Sequence, residues 1–259
     1  LARPDFATAC GIVLARVAVR RQAADEALKA IKDTRVQGGL TSADATMLSY
    51  LEGQAFELKG DYRAAFAAFE TANTAQAKLI GERFDDPASI TAPARLHALA
   101  AHLKANAWPA WPKAVSGPAV KDHVFMVGFP RSGTTLLEQA LDAHPNIRSL
   151  EEKDTLAAAF ALLRKAGSLV AFFDGLKGET LDRLRADYWA RVKPHAGGSL
   201  DGIVLVDKVP MNSAFLSVIA ALFPESKIIF SVRDPRDVCV SAFQQQFGVN
   251  GVTRQFLTL

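Results

Sequence analysis

An apolar run ending in glycine, His123-Val124-Phe125-Met126-Val127-Gly128, leads directly into Phe129-Pro130-Arg131-Ser132-Gly133-Thr134-Thr135. Apolar residues at helical spacing follow: Leu136, Leu137, Ala140 and Leu141. Strand, Gly-x-x-x-x-Gly and helix form the frame of a phosphate-binding loop, in which backbone N–H groups and a helix N-terminus cradle an anion. Triphosphate-binding loops place Lys and then Ser or Thr after the second glycine. Here Thr134 and Thr135 stand there, and an arginine, Arg131, sits inside the loop instead.

The loop opens an α/β region. Ile203 to Val206 and Lys227 to Val232 read as further strands, Thr134 to Ala143 as a helix, and Ser213 to Leu222 as a crossover helix. β-Branched strands alternating with helical stretches predict a parallel sheet in a three-layer α/β domain. Before residue 120 the chain is instead rich in Ala and Leu, which favours helix. Met47 to Lys59 and Tyr62 to Leu79 read as two helices joined at Gly60-Asp61, with Ala24 to Ile31 and Ala94 to Lys104 as further helical stretches. Gly53 and Ala65 are small enough for close helix approach, with Phe56 and Phe69 filling the gap; this spacing resembles a tetratricopeptide repeat, although Ser49 stands where that repeat has a large residue. The prolines of Ala107-Trp108-Pro109-Ala110-Trp111-Pro112 and Ser116-Gly117-Pro118 break helix and mark a linker. The expected organisation is a helical domain over 1–106, a linker over 107–120 and an α/β domain over 121–259.

Size and charge exclude some classes. With 259 residues, 49% of them hydrophobic, the chain can bury two sizeable cores. A net charge of +3 is too small to argue for nucleic acid or a membrane surface. The apolar stretches are interrupted well before the roughly 20 residues of a membrane span. Cys10 and Cys239 lie far apart in apolar contexts and are expected to be buried free thiols, which suits a reducing, cytoplasmic compartment. The missing initiator Met implies a trimmed end and leaves room for a removed signal. His97, His102, His123 and His195 show no metal-ligand spacing, and His144 reads as the end of a helix at Pro145.

Pro130-Arg131-Ser132-Gly133-Thr134-Thr135 resembles the 5′-phosphosulfate loop of sulfotransferases that use 3′-phosphoadenosine-5′-phosphosulfate (PAPS). The likeness is nearest to the tyrosylprotein sulfotransferase branch and its bacterial relatives with tetratricopeptide repeats. It continues through Leu141-Asp142-Ala143-His144-Pro145, Glu151-Glu152, Asp207-Lys208-Val209-Pro210 and the segment from Val232-Arg233-Asp234-Pro235 to Ser241. It covers about residues 121–250.

The resemblance implies PAPS as co-substrate, with no metal. It assigns the 5′-phosphosulfate to Arg131, Ser132, Gly133, Thr134 and Thr135, and the 3′-phosphate to Arg233 and Ser241. It makes Glu152 the general base and places Lys208 near the transferred group, where a cation can stabilise developing charge. Leu150 and Leu156 suggest a local helix around Glu151-Glu152, on which only one carboxylate can face the loop. Arg233, at the carboxyl end of a strand, stands where ligands of open α/β sheets bind. Read alone, Arg233 to Asp237 fits a capped helix start with local ion pairs, and Ile203 to Asp207 imitates a magnesium-handling strand; without the loop lysine, Asp207 reads as structural.

The expected function is sulfonate transfer from PAPS to a hydroxyl or amine. The acceptor stays open among peptide, sugar, lipid and small molecule, and the helical repeats offer a surface for a protein or peptide. The rivals are a P-loop kinase or other nucleotide-binding enzyme, which lacks its lysine here, and a non-catalytic tetratricopeptide scaffold. Members of the branch run well past the equivalent of Leu259, so the α/β domain is expected to be incomplete at its C-terminus.

Overall fold

The computed structural model describes residues 4–80, 97, 100, 101, 104, 105, 110–114, 117–248 and 253–258. Most of the helical stretch expected over 94–104, and the linker residues 107–109, 115 and 116, lie outside them. Two compact units are formed by Leu1–Ser89 with Cys239–Leu259, and by Ile90–Val238.

The first unit contains α1 (Pro4–Arg20), α2 (Ala24–Gln37), α3 (Ser42–Leu58) and α4 (Tyr62–Ile80). Helix α3 begins five residues before its expected start because Thr41 and Asp44 form a reciprocal capping box. The chain turns from α3 into α4 through Gly60, at φ 75°, and Asp61, whose carboxylate accepts the Ala64 N–H. A Cβ on Gly53 would sit 2.6 Å from the Phe69 ring, so the close approach expected there is present. Tyr50, Ala65, Phe69 and Ala72 build a core that also takes in Phe243. Both cysteines are exposed, contrary to expectation. The buried stripe around Cys239 runs through Val238, Ala242 and Phe243, four and five residues apart, and the thiol falls beside it.

The second unit is built on a parallel sheet of β1 (Asp122–Gly128), β2 (Ile147–Glu151), β3 (Val204–Lys208) and β4 (Lys227–Ser231), in the order β2-β3-β1-β4. Successive side chains of β1 enter different cores. Phe125 and Val127 join Leu163, Leu184, Tyr188, Val218 and Phe223 on one face; Val124 and Met126 meet Val206, Leu137 and Leu141 on the other. Two-sided burial explains why β1 reads as an unbroken apolar run. Helix α5 (Thr134–Asp142) covers one face; α6 (Ala157–Ala166), α7 (Leu169–Gly175), α8 (Glu179–Val192) and α9 (Leu216–Leu222) supply the other core, and α10 (Pro235–Phe243) follows β4. The expected crossover helix from Ser213 is a 3-10 turn over Pro210–Phe215 followed by α9.

Two further expectations change. Glu151 ends a strand, β2, and no helix surrounds the Glu151-Glu152 pair. The stretch from 157 to 192, for which the sequence suggested no element, holds three helices. Trp111, in the segment read as a linker, packs against Phe173. The buried Arg185 fastens the same segment by donating to the carbonyls of Pro112, Lys113 and Leu222.

Candidate functional site

The four parallel strands direct their carboxyl ends to one edge, which gathers the loop after β1, the Glu151-Glu152 corner after β2, Lys208 at the end of β3 and Arg233 just beyond β4. Crevices at such edges are where open α/β sheets hold ligands.

The loop is wound tightly. Gly128 tolerates no side chain, because a Cβ there would meet the Ser231 carbonyl at 2.8 Å. Arg131 and Gly133 both take positive φ, 71° and 91°, which costs a non-glycine residue on the order of 1 kcal/mol. Ser213 Oγ donates to the Gly128 carbonyl at 3.2 Å, and Ser231 Oγ to the Ser132 carbonyl at 2.9 Å, fixing both ends of the turn. Gly133 caps α5, whose first N–H groups have no intrahelical acceptors. Ser132 Oγ is buried and has no hydrogen-bond partner, an unmet demand that an oxyanion placed in the loop would satisfy. Thr134 is buried in the first turn of α5, whereas Arg131 and Thr135 are exposed.

Lys208 is the most enclosed cation of the site, its side chain 0% exposed. Its Nζ lies 3.0 Å from Glu152 Oε1, 3.1 Å from Glu138 Oε2 and 3.9 Å from Glu151 Oε1. Burial works to lower its pKa, but hydrogen bonds to Glu152 and Glu138 and their charges outweigh it and hold the ammonium above the ordinary lysine value. Glu152 is a second left-handed non-glycine residue, at φ 47°, and its N–H donates to the Lys208 carbonyl at 2.9 Å. Of the three left-handed non-glycine residues among those described, Gln22, Arg131 and Glu152, the last two fall on this edge.

Glu138 was missed by the sequence reading. The inward stripe of α5 is Thr134, Leu137, Glu138 and Leu141, while Leu136 faces out. A carboxylate within the i, i+3, i+4, i+7 stripe was the available signal. Ser149 Oγ donates to Glu138 Oε1 at 2.5 Å, and Asp142, from the Leu-Asp-Ala-His-Pro string, accepts the Ser149 N–H at 2.8 Å.

Asp207 points away from Lys208 into the core. Its Oδ2 accepts from Thr155 Oγ1 at 2.7 Å and from the Tyr188 hydroxyl at 2.9 Å, while Oδ1 has no partner. Tyr188 has only one hydroxyl proton to give, so the 2.7 Å contact between its oxygen and His123 Nε2 makes the imidazole nitrogen the donor. Burial raises Asp207 to about 6, against the opposing hydrogen bonds from Thr155 and Tyr188; burial also lowers His123 to about 3.

Arg233 reaches back to the loop, with Nη1 3.3 Å from the Arg131 carbonyl and Nη2 3.3 Å from Asp237. The local ion pairs suggested by the sequence also include Arg236 with Asp234 at 2.7 Å. Ser241 is half-buried in the last turn of α10, among the residues grouped with the helical unit. Among the described residues, no group of three or more His, Cys, Asp or Glu is arranged to hold a metal ion, and no helix is long and apolar enough to cross a membrane.

Residues 123–258 match the family model described as Sulfotransferase family. Protein-tyrosine sulfotransferase 1 of Mus musculus is 32% identical over 133 residues, 49% of this chain and 35% of that protein. The protein of the same name from Danio rerio is 30% identical over 133 residues, 49% of this chain and 37% of its own length. A protein of Aquifex aeolicus (strain VF5) named only as uncharacterized is 31% identical over 149 residues, 54% of this chain and 19% of that protein. The chain therefore spans well under half the length of these curated relatives.

Proposed function

The chain belongs to the sulfotransferase family, and from that premise we propose that it transfers a sulfonate group from PAPS to an acceptor hydroxyl. The observation that carries this reading is Ser132 Oγ, buried without a partner inside a strained loop at a helix N-terminus. With Gly133, Thr134 and Thr135 it offers donors to the 5′-phosphosulfate, and Arg131 supplies positive charge. Arg233, whose guanidinium fork suits a phosphate dianion, is assigned with Ser241 to the 3′-phosphate on the resemblance.

In this reading Glu152 takes the acceptor proton as the acceptor oxygen bonds to sulfur. The bond from sulfur to the bridging oxygen breaks, its electron pair stays on the 5′-phosphate, and Lys208 stabilises the charge that develops. 3′-Phosphoadenosine-5′-phosphate leaves. The names of the relatives make a peptide tyrosine the first acceptor to test. The helical hairpins, with Gly53 set against Phe69, we read as tetratricopeptide-like and suited to a peptide or protein partner.

Calorimetry tests the donor side without an acceptor. 3′-Phosphoadenosine-5′-phosphate is expected to bind at least about tenfold more tightly than ATP, the value of one charged hydrogen bond, and independently of magnesium. Tight, magnesium-dependent binding of ATP in its place would overturn the reading.

A further inference from the structure

Lys208 is held by two carboxylates of opposite character. Glu138 is buried, with its side chain 7% exposed, and its other oxygen is occupied by Ser149 Oγ. Glu152 is 59% exposed on a corner. The ammonium itself has no exposure, so an incoming sulfonate can meet it only where a present partner withdraws. Glu152 is the partner free to do so. Its role as base weakens the pair further, since a Glu152 that has taken the acceptor proton is neutral and no longer balances the ammonium. A buried cation left without any counter-charge is strongly disfavoured, so a second carboxylate has to stay in place.

We propose that Glu138 is a positioning residue for sulfonate transfer, the fixed counter-ion that keeps Lys208 charged and in place while Glu152 takes up the acceptor proton. The inference rests on the roles given above to Lys208 and Glu152. Geometry supports it in two ways. Glu138 lies one helical turn after Thr134, on the same buried stripe of α5, so a single rigid helix sets both the loop and the lysine. Three charged groups face Nζ, namely Glu138 from α5 and Glu151 and Glu152 from the end of β2, and at 3.9 Å Glu151 is too distant to replace a hydrogen bond.

The test uses Glu138→Gln, which keeps shape and removes charge, with Glu138→Asp as the conservative rescue. Lysine 13Cε shifts, with Lys208 assigned through Lys208→Arg, read its titration directly. Glu138→Gln is expected to lower the Lys208 midpoint by about one pH unit or more. With PAPS and a tyrosine-containing peptide as probe, kcat should fall about ten- to a hundredfold while KM for PAPS stays within about threefold. Glu138→Asp should recover part of both. An unchanged Lys208 midpoint, or an unchanged kcat, overturns the proposal. Should Glu138→Gln fail to fold, Ser149→Ala decides. It keeps the carboxylate but frees it, and is expected to shift both readouts in the same direction by less; no shift overturns the proposal. Wild-type protein that binds no 3′-phosphoadenosine-5′-phosphate would sink the functional reading above, while the lysine titration would still decide for or against Glu138.

Discussion

At the scale of single residues, the core network behind the site sets two titrations against each other. Asp207, raised to about 6, gives a contribution to stability that is complete below the ordinary aspartate value of 3.8 and is lost as pH rises through 6. His123, lowered to about 3, gives one that is complete above its ordinary 6.5 and is lost as pH falls toward 3. Between 3.8 and 6 the slopes are opposite, each about 1.4 kcal/mol per pH unit, and nearly cancel. Asp207→Asn should therefore uncover the histidine alone, with unfolding free energy dropping as pH falls below 6.5. His123→Phe should uncover the aspartate, with stability increasing as pH falls from 6 to 3.8. Urea titrations across this range check both signs, and parallel profiles for the two variants would refute the network. The sequence identified Asp207 as structural from the absent loop lysine, but Thr155 and Tyr188 were not legible. They come from elements 52 and 19 residues away whose positions follow only from packing.

At the scale of elements, β2 decides how the adjacent carboxylates are presented. A helix would have turned them about 100° apart. The strand instead ends at Glu151, and the left-handed turn at Glu152 places its carboxylate on Lys208 at 3.0 Å, against 3.9 Å for Glu151. From this corner, Glu152→Gln is expected to lower turnover by about 10²–10⁴, the usual share of a general base, with little change in nucleotide affinity. Glu151→Gln removes only a neighbouring charge and should cost far less. Turnover with PAPS beside calorimetry of each variant checks this, and the reverse ranking would move the base to Glu151. β2 escaped the sequence reading because five residues bearing Arg148, Ser149 and Glu151 show no β-branched run; parallel pairing with β3, not propensity, makes it a strand. β1 was legible because burial on both faces leaves an apolar string, and the loop because its glycines have steric tasks that no other residue performs.

At the scale of the whole molecule, the described α1 to α4 all precede the change of composition near residue 120 and the sheet follows it, yet the first compact unit is not one stretch of sequence. Cys239–Leu259 belongs to it by compactness, although the family match runs on to residue 258. Phe243 carries this return. Its ring stacks on Phe66 at 5.4 Å and joins Tyr50, Ala65, Phe69 and Ala72, while its carbonyl accepts Asn73 Nδ2 at 3.0 Å. The Tyr50 hydroxyl donates to Asn73 Oδ1 at 2.5 Å, so one amide ties α3, α4 and the returning chain. Nothing in Val238-Cys239-Val240-Ser241-Ala242-Phe243 tells which core the ring enters, because an apolar stripe specifies burial and not its partner. Phe243→Ala would remove a ring that is 4% exposed and leave a cavity beneath α3 and α4, a change that costs about 3–5 kcal/mol in a packed core. Hydrogen exchange on the full chain should then show protection factors in α3 and α4 falling by at least about a hundredfold, the equivalent of some 3 kcal/mol of local opening. Unchanged protection would mean that four helices hold this core without the fifth segment, and that the return of the chain contributes nothing to their stability.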